Sequence, residues 1–148
     1  MSIINIVIDV KKIKKDTIIL VKIGKFYYCY GKDSYIISYL TNYKINLLEN
    51  NVYSCAFSTS ACNKVISILD EKKINYAILD RRNNYDELEH QNFKNLNKYV
   101  FYYEKAKQVI GSKLKIEKIY KYLHENLKDN ELIKNVEECI RKYERRKI

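Results

Sequence analysis

The sequence predicts an α/β fold, in which a mixed β-sheet flanked by helices is followed by a helical C-terminal region. Short apolar runs with strand character fill the first half of the chain. Apolar residues at i, i+3, i+4 and i+7 mark a helix between two of these runs. Beyond about residue 85 the apolar residues recur only at helical spacing. We therefore expect an α/β domain over residues 1–90 and a helical extension over residues 91–148.

The predicted strands are runs rich in β-branched and aromatic residues, which suit a pleated and half-buried surface. The run over 17–23 is almost continuously apolar, as expected of a strand in the middle of a sheet. Gly24 and Lys25 form a predicted turn into an aromatic strand. The predicted strands are 3–8, 17–23, 26–30, 44–48, 52–57 and 74–79.

Helices are predicted between and after these strands. Asp33 or Ser34 is expected to cap the first, and the hydroxyls of residues 58–60 are expected to cap the second. The apolar stripe of the second helix is Cys62, Val65, Ile66 and Leu69. From residue 93 to 143 the pattern is helical, with breaks expected near Gly111 and near Asp129.

Two apolar stripes in the C-terminal region have no evident cover. We expect them to pack on each other as a helical hairpin, on the sheet domain, or across a dimer interface. A protein partner or a homodimer held by the C-terminal helices is therefore expected. The stripes are Ile116, Ile119, Leu123 and Leu127, and Ile133, Val136, Ile140 and Tyr143.

Composition and charge narrow the function. At 47% hydrophobic and 31% charged residues, 148 residues can bury a core, which excludes a disordered tail, a fibre and a disulfide-rich mini-protein. There are 28 Lys and Arg against 18 Asp and Glu, a net charge of +10 that favours an anionic partner such as nucleic acid. The abundance of Lys, Ile, Asn and Tyr is also typical of AT-rich codons, which accounts for part of the basicity.

Cysteine spacing and hydropathy predict the compartment. The four cysteines form no CxxC pair and there are only two histidines, so neither a metal site nor a cofactor is expected. The cysteines are expected to be reduced. The first residues lack the pattern of a signal peptide, and no apolar run approaches the ~20 residues of a membrane span. We therefore expect a cytoplasmic protein without a membrane partner.

The most informative stretch is residues 16–34, where an apolar strand, a glycine turn and an aromatic cluster follow one another. Seven lysines and one aspartate lie between positions 11 and 32, a local charge of +6. Lysines suit phosphates, and an exposed ring among them suits base stacking. Phe26 and Tyr28 share one face of the predicted strand, and Tyr27 lies on the other. The alternative is that these rings only fill the core.

These residues resemble the MutS mismatch-recognition (N-terminal) domain. The run 24–28, Gly-Lys-Phe-Tyr-Tyr, is similar to the Gly-Asp-Phe-Tyr-Glu motif of that family. The run 30–34 is similar to its Phe-x-x-Asp-Ala, and the run 55–61 to its Met-Ala-Gly-x-Pro-x-His-Ala. The order and spacing of these motifs, and of the following helix and strand, agree over roughly residues 14–81.

The resemblance implies a mixed sheet flanked by helices and a role in recognising mispaired DNA. In the family the ring at the position of Phe26 stacks on the mispaired base from the minor groove, and the adjacent Glu hydrogen-bonds that base. Tyr28 stands in place of the Glu, and a phenol carries no charge near pH 7. No GxxxxGK[ST] motif is present, so we expect a stand-alone, non-catalytic domain without an ATPase.

The predicted function is therefore the binding of mispaired, bulged or single-stranded DNA. The expected DNA-binding residues are Phe26, Tyr28, Lys22, Lys25 and Lys32. The alternative from a different class is a protein-interaction module of the same fold that has lost DNA recognition, which the loss of the motif Glu favours.

The third hypothesis is an enzymatic function, and few sequence features favour it. The run 27–31, Tyr-Tyr-Cys-Tyr-Gly, is typical of part of a GIY-YIG nuclease, but the upstream Gly-Ile-Tyr strand is missing. The carboxylates at 70–71 and 86–89 are expected on solvated helix ends. No catalytic residue is predicted.

Overall fold

The structure is a computed structural model that describes residues 2–94 and 96–147. It divides into two compact units, one up to residue 110 and the other from residue 111. The predicted class, a mixed α/β sheet with flanking helices followed by a helical region, is confirmed. The domain boundary expected at residue 90 stays a prediction.

Six strands form one mixed sheet in the first unit, in the order β3-β4-β2-β1-β5-β6. Their bounds are β1 (Ile18–Ile23), β2 (Phe26–Tyr30), β3 (Ile45–Leu47), β4 (Tyr53–Ser58), β5 (Tyr76–Asp80) and β6 (Asp86–Gln91). Strand β1 is antiparallel to β2 and parallel to β5. It is central, as its apolar sequence predicts, and residues 18–21 are fully buried.

Helices cover both faces of the sheet. The larger core lies between one face and α2, α3 and the start of α4, and the smaller core lies under α1. The predicted stripe of α3 is confirmed, because Val65 and Leu69 are buried in the larger core. The helices are α1 (Ile3–Ile13), α2 (Lys32–Thr41), α3 (Cys62–Lys72), α4 (Leu96–Glu125) and α5 (Asn130–Arg146).

The strand predicted over residues 3–8 is wrong, because these residues begin helix α1. Ile3, Val7 and Val10, at spacings of four and three, pack on the sheet. The Ser2 side chain caps the helix by accepting from the Asn5 amide at 3.2 Å. Packing of this stripe outweighs the weak helix preference of β-branched residues.

Strand β6 falls where the sequence predicts no strand. It pairs with β5 at the edge of the sheet, and all six of its residues are exposed. Because neither face of β6 is buried, its sequence lacks the alternation that marks a strand. Its carboxylates therefore lie on a charged sheet edge, of the kind that discourages pairing with other chains, and not on a helix end.

The predicted helix caps of α2 and α3 are also wrong. Gly31 occupies the cap position of α2 without a side-chain bond. Asp33 turns inward and is fully buried. Its carboxylate accepts from Lys11 Nζ at 2.7 Å, from the Tyr99 hydroxyl at 2.5 Å and from the Ile19 amide at 3.0 Å. It thereby ties α1, α2, α4 and β1 together.

Residues 58–60 likewise make no cap for α3. A short 3₁₀ turn at Thr59–Ala61 precedes the helix, and the hydroxyls of Ser58 and Ser60 lie 2.8 Å apart instead.

The second unit contains the end of α4 and all of α5. The break expected at Gly111 is wrong, because α4 continues through it, whereas the break at Asp129 is confirmed. The Asp129 side chain caps α5 by accepting from the Leu132 amide at 3.0 Å. None of the described side chains in residues 111–147 is buried. Which of the three expected arrangements covers the stripes stays a prediction.

Hydropathy of the helices bears on the membrane prediction. Across residues 2–94 and 96–147, every helix is too short or too polar to cross a lipid bilayer.

Candidate nucleic-acid interface

The candidate interface is the tip of the hairpin formed by β1 and β2. A two-residue turn, Gly24 and Lys25, joins the strands, and Ile23 pairs with Phe26. Gly24 has φ +60°, which a glycine at the first turn position adopts without strain. The Lys25 carbonyl accepts from the Thr59 amide at 2.9 Å. The tip is therefore held by both the strand ladder and the 3₁₀ turn.

Phe26 is the exposed aromatic side chain of this tip. Its residue is 47% exposed, whereas Tyr27 and Cys29 point into the larger core. Tyr28 is partly buried, and its ring centroid lies 6.4 Å from that of Phe26 at an interplanar angle of 53°. The two rings thus form an aromatic pair on one side of β2, as the strand alternation predicts.

The three predicted lysines occupy different places. Lys25 is exposed on the turn beside Phe26. Lys22 pairs with Tyr27 and therefore lies on the opposite face of the sheet from Phe26. Lys32 begins α2, beyond the other end of β2, and its Nζ lies 5.0 Å from the Tyr103 ring centroid. The structure thus brings Lys25 to the aromatic pair, but not Lys22 or Lys32.

Two arginines that the prediction omitted lie at the same end of the sheet. Because β5 is parallel to β1, with Asp80 in register with Lys22, the 3₁₀ turn Arg81–Asn83 follows beside the hairpin. The Asp80 carboxylate accepts from the Arg82 amide at 3.0 Å and so fixes this turn. Both arginines are exposed. No local pattern in the sequence marks them, because their place beside the hairpin depends on the long-range parallel pairing of β5 with β1.

Two phenols of β2, those of Tyr27 and Tyr30, stay neutral at physiological pH. Burial raises the pKa of Tyr30 to about 12, although the nearby Arg81 opposes the shift. Burial, followed by a hydrogen bond with Cys62, raises the pKa of Tyr27 to about 12. The exposed side chains at this end of the sheet include Phe26, a lysine and two arginines.

Within 2–94 and 96–147, no three or more His, Cys, Asp or Glu side chains are grouped so as to hold a metal ion. The cysteines are free thiols, and Cys29 and Cys55 lie opposite each other in the buried ladder between β2 and β4.

Comparison with known proteins identifies one family. The profile of MutS domain I matches residues 2–104, which include every strand of the sheet and the whole hairpin tip. No curated protein matches the chain.

Proposed function

Because the chain belongs to the MutS domain I family, we propose that it is a non-catalytic nucleic-acid-binding protein that holds irregular DNA at the β1–β2 tip. One observation carries this proposal. Phe26, at the position of the ring that stacks on mispaired bases in the family, is half exposed on a fixed turn next to Lys25. A side chain needed only for the core would be buried at this position.

Stacking explains why the DNA would be irregular. Inserting a ring between bases costs a few kcal/mol of unstacking, and the cost is least where pairing is already faulty. Mispaired, bulged or single-stranded DNA is therefore preferred to perfect duplex. Tyr28 can donate a hydrogen bond to a base but lacks the charge of the motif Glu, so we expect broader selectivity than that motif gives.

Cations supply the remaining affinity. Lys25, Arg81 and Arg82 lie at the tip and are assigned to the phosphates that flank the stacked base. Lys22, on the other face, and Lys32, at the far end of β2, contribute only to the general attraction for DNA. The net charge of +10 acts in the same direction.

The stacking role is tested with Phe26→Ala. Fluorescence anisotropy is measured on a perfect duplex, a duplex with one unpaired base and a single strand. Because stacking contributes ~1–3 kcal/mol per base, we expect affinity for the last two to fall about 5- to 150-fold. Phe101→Ala is the matched control, because Phe101 is equally exposed, at 47%, but lies on α4. Equal losses in the two variants, or unchanged binding by Phe26→Ala, would contradict the proposal.

The phosphate contacts are tested in the same assay over a series of salt concentrations. Lys25→Ala or Arg81→Ala should weaken binding to all three DNAs alike and reduce the salt slope by about 1. Lys32→Ala, a change of the same kind away from the tip, should leave the slope nearly unchanged. If Lys32→Ala has the larger effect, the phosphates lie elsewhere.

A second function, a protein-interaction module of MutS-like fold, is favoured by Tyr28 in place of the motif Glu and by the uncovered stripes of the second unit. Absence of salt-dependent binding to any of the three DNAs would support this alternative.

A further inference from the structure

Most residues of the two apolar stripes of the second unit are exposed. Leu123, Ile133 and Val136 are partly buried, whereas Leu127, which lies in the turn that joins α4 and α5, is 61% exposed. Farther away, Ile116 is 64% exposed and Ile140 is 54% exposed. Most of both stripes therefore faces solvent.

Exposed stripes of this kind call for a partner. The part of α4 after residue 110 and the whole of α5 have 15 and 17 residues, respectively. Most of the stability of a helix in a protein comes from packing an amphipathic face and not from helix propensity. A contiguous apolar surface flanked by charges is typical of an interaction site.

The charges beside the two stripes are opposite in sign. On α4, Lys113 and Lys115 lie on either side of the stripe at 100° per residue. On α5, Glu137 and Glu144 each follow a stripe isoleucine by four residues and so lie along one edge of it. Glu137 also lies 3.6 Å from Arg141 of the same helix, an exposed pair of the kind that contributes little to stability and leaves the carboxylate available to a second partner. Each stripe thus has on the same chain a surface that complements it in apolarity and in charge.

We propose that this unit forms a homodimer in which α5 of each chain packs its stripe against α4 of a second copy. The contact occurs twice, related by a two-fold axis, and Glu137 and Glu144 face Lys113 and Lys115 of the other chain. This association does not depend on DNA binding.

Charge also disfavours the other symmetric pairings. An antiparallel pair of α5 helices would place Glu137 near Glu144 of the other copy, and a pair of α4 helices would bring lysines together. Like charges at such positions destabilise helix pairing and so select against it. Pairing of α4 with α5 is the arrangement that places the lysines of α4 beside the glutamates of α5.

The test uses two charge-reversed forms of the full chain. One carries Lys113→Glu and Lys115→Glu, and the other carries Glu137→Lys and Glu144→Lys. We expect sedimentation equilibrium to show a wild-type dimer, and a dimer Kd raised at least tenfold in each variant, since the repulsion occurs in both contacts. An equimolar mixture of the two variants should recover a heterodimer of wild-type affinity, because both contacts are then complementary.

Matched controls carry the same charge changes away from the stripes. Lys118→Glu with Lys121→Glu on α4, and Glu131→Lys with Glu138→Lys on α5, should dimerise like the wild type. Circular dichroism of every variant verifies that the helices are formed.

Three outcomes would overturn the proposal. A monomeric wild type at about 100 μM would exclude a dimer of useful affinity and leave the stripes to a different protein. Weakening by the α5 variant alone would indicate pairing of α5 with itself. A mixture that stays monomeric although each variant is folded would show that the charges do not face each other.

Discussion

The sheet unit and the helical unit use the same kind of amphipathic sequence, yet only the first buries it. In the sheet unit the stripe of α3 meets a sheet face, and Val65 and Leu69 become fully buried. In the helical unit the stripes of α4 and α5 also recur at helical spacing, and every described side chain stays at least partly exposed. An apolar stripe therefore predicts that something will pack on it, but not whether that surface lies within the chain. The difference suits the proposed DNA-binding tip on the first unit and the proposed surface for association on the second.

The largest expected difference between the two units is in the free energy of unfolding lost when one aspartate is removed from each. Asp33→Ala leaves Lys11, the Tyr99 hydroxyl and the Ile19 amide without their acceptor. Breaking a buried charged pair costs about 3–5 kcal/mol, so we expect a loss of this size in the free energy of unfolding of the sheet unit. Urea denaturation followed by tyrosine fluorescence measures it.

Asp129→Ala is the counterpart in the helical unit. Its exposed side chain caps α5 through the Leu132 amide, so the change should cost about 1 kcal/mol of helix stability and leave the sheet unit unaffected. A loss below about 1 kcal/mol for Asp33→Ala would mean that the buried carboxylate does not lock the sheet unit.

A leucine truncation gives the next largest contrast. Leu69→Ala removes a fully buried side chain from α3 and should cost about 2–5 kcal/mol in the sheet unit. Leu127→Ala removes an exposed one and should stay within about 0.5 kcal/mol for the monomeric chain. The denaturant midpoints of the two variants are compared with that of the wild type at a low protein concentration, where the chain is monomeric. Similar losses for the two variants would show that Leu127 is buried in the monomer.

The elements predicted correctly from the sequence are those whose hydrophobic pattern is compatible with a single type of secondary structure. Residues 18–21 are apolar throughout because both faces of β1 are buried, so a central strand was the clear interpretation. The predictions for residues 3–8 and for the segment that forms β6 were wrong, and for opposite reasons. The first is a β-branched run that packs as a helical stripe, and the second is a strand without any buried face to produce alternation.

The candidate site was predictable where it depends on strand geometry alone. Alternation along β2 places Phe26 and Tyr28 together and turns Tyr27 away. Lysine positions could not be judged in the same way, because sequence distance says little about which face or end of a sheet a residue occupies. Arg81 joins the tip only through the parallel pairing of β5 with β1, a long-range contact that no local pattern contains.

Two glycines with equally open surroundings, one in each unit, give the finest contrast between the units. No atom lies within 4 Å of a Cβ added at Gly24 or at Gly111, so neither substitution causes a clash. Gly24 has φ +60°, where an L side chain costs about 1–2 kcal/mol, so Gly24→Ala should destabilise the sheet unit by about that amount. Because the strain falls on the turn before Phe26, affinity for bulged DNA should fall as well.

Gly111 lies inside the helix α4, where alanine is the better residue by about 0.5–1 kcal/mol. Gly111→Ala should therefore raise the melting temperature of the helical signal and leave DNA affinity unchanged. Thermal denaturation followed by circular dichroism, together with anisotropy on bulged DNA, measures both effects. Stabilisation by Gly24→Ala would mean that the turn does not need a left-handed residue, and the tip would then lack the fixed geometry on which stacking by Phe26 depends.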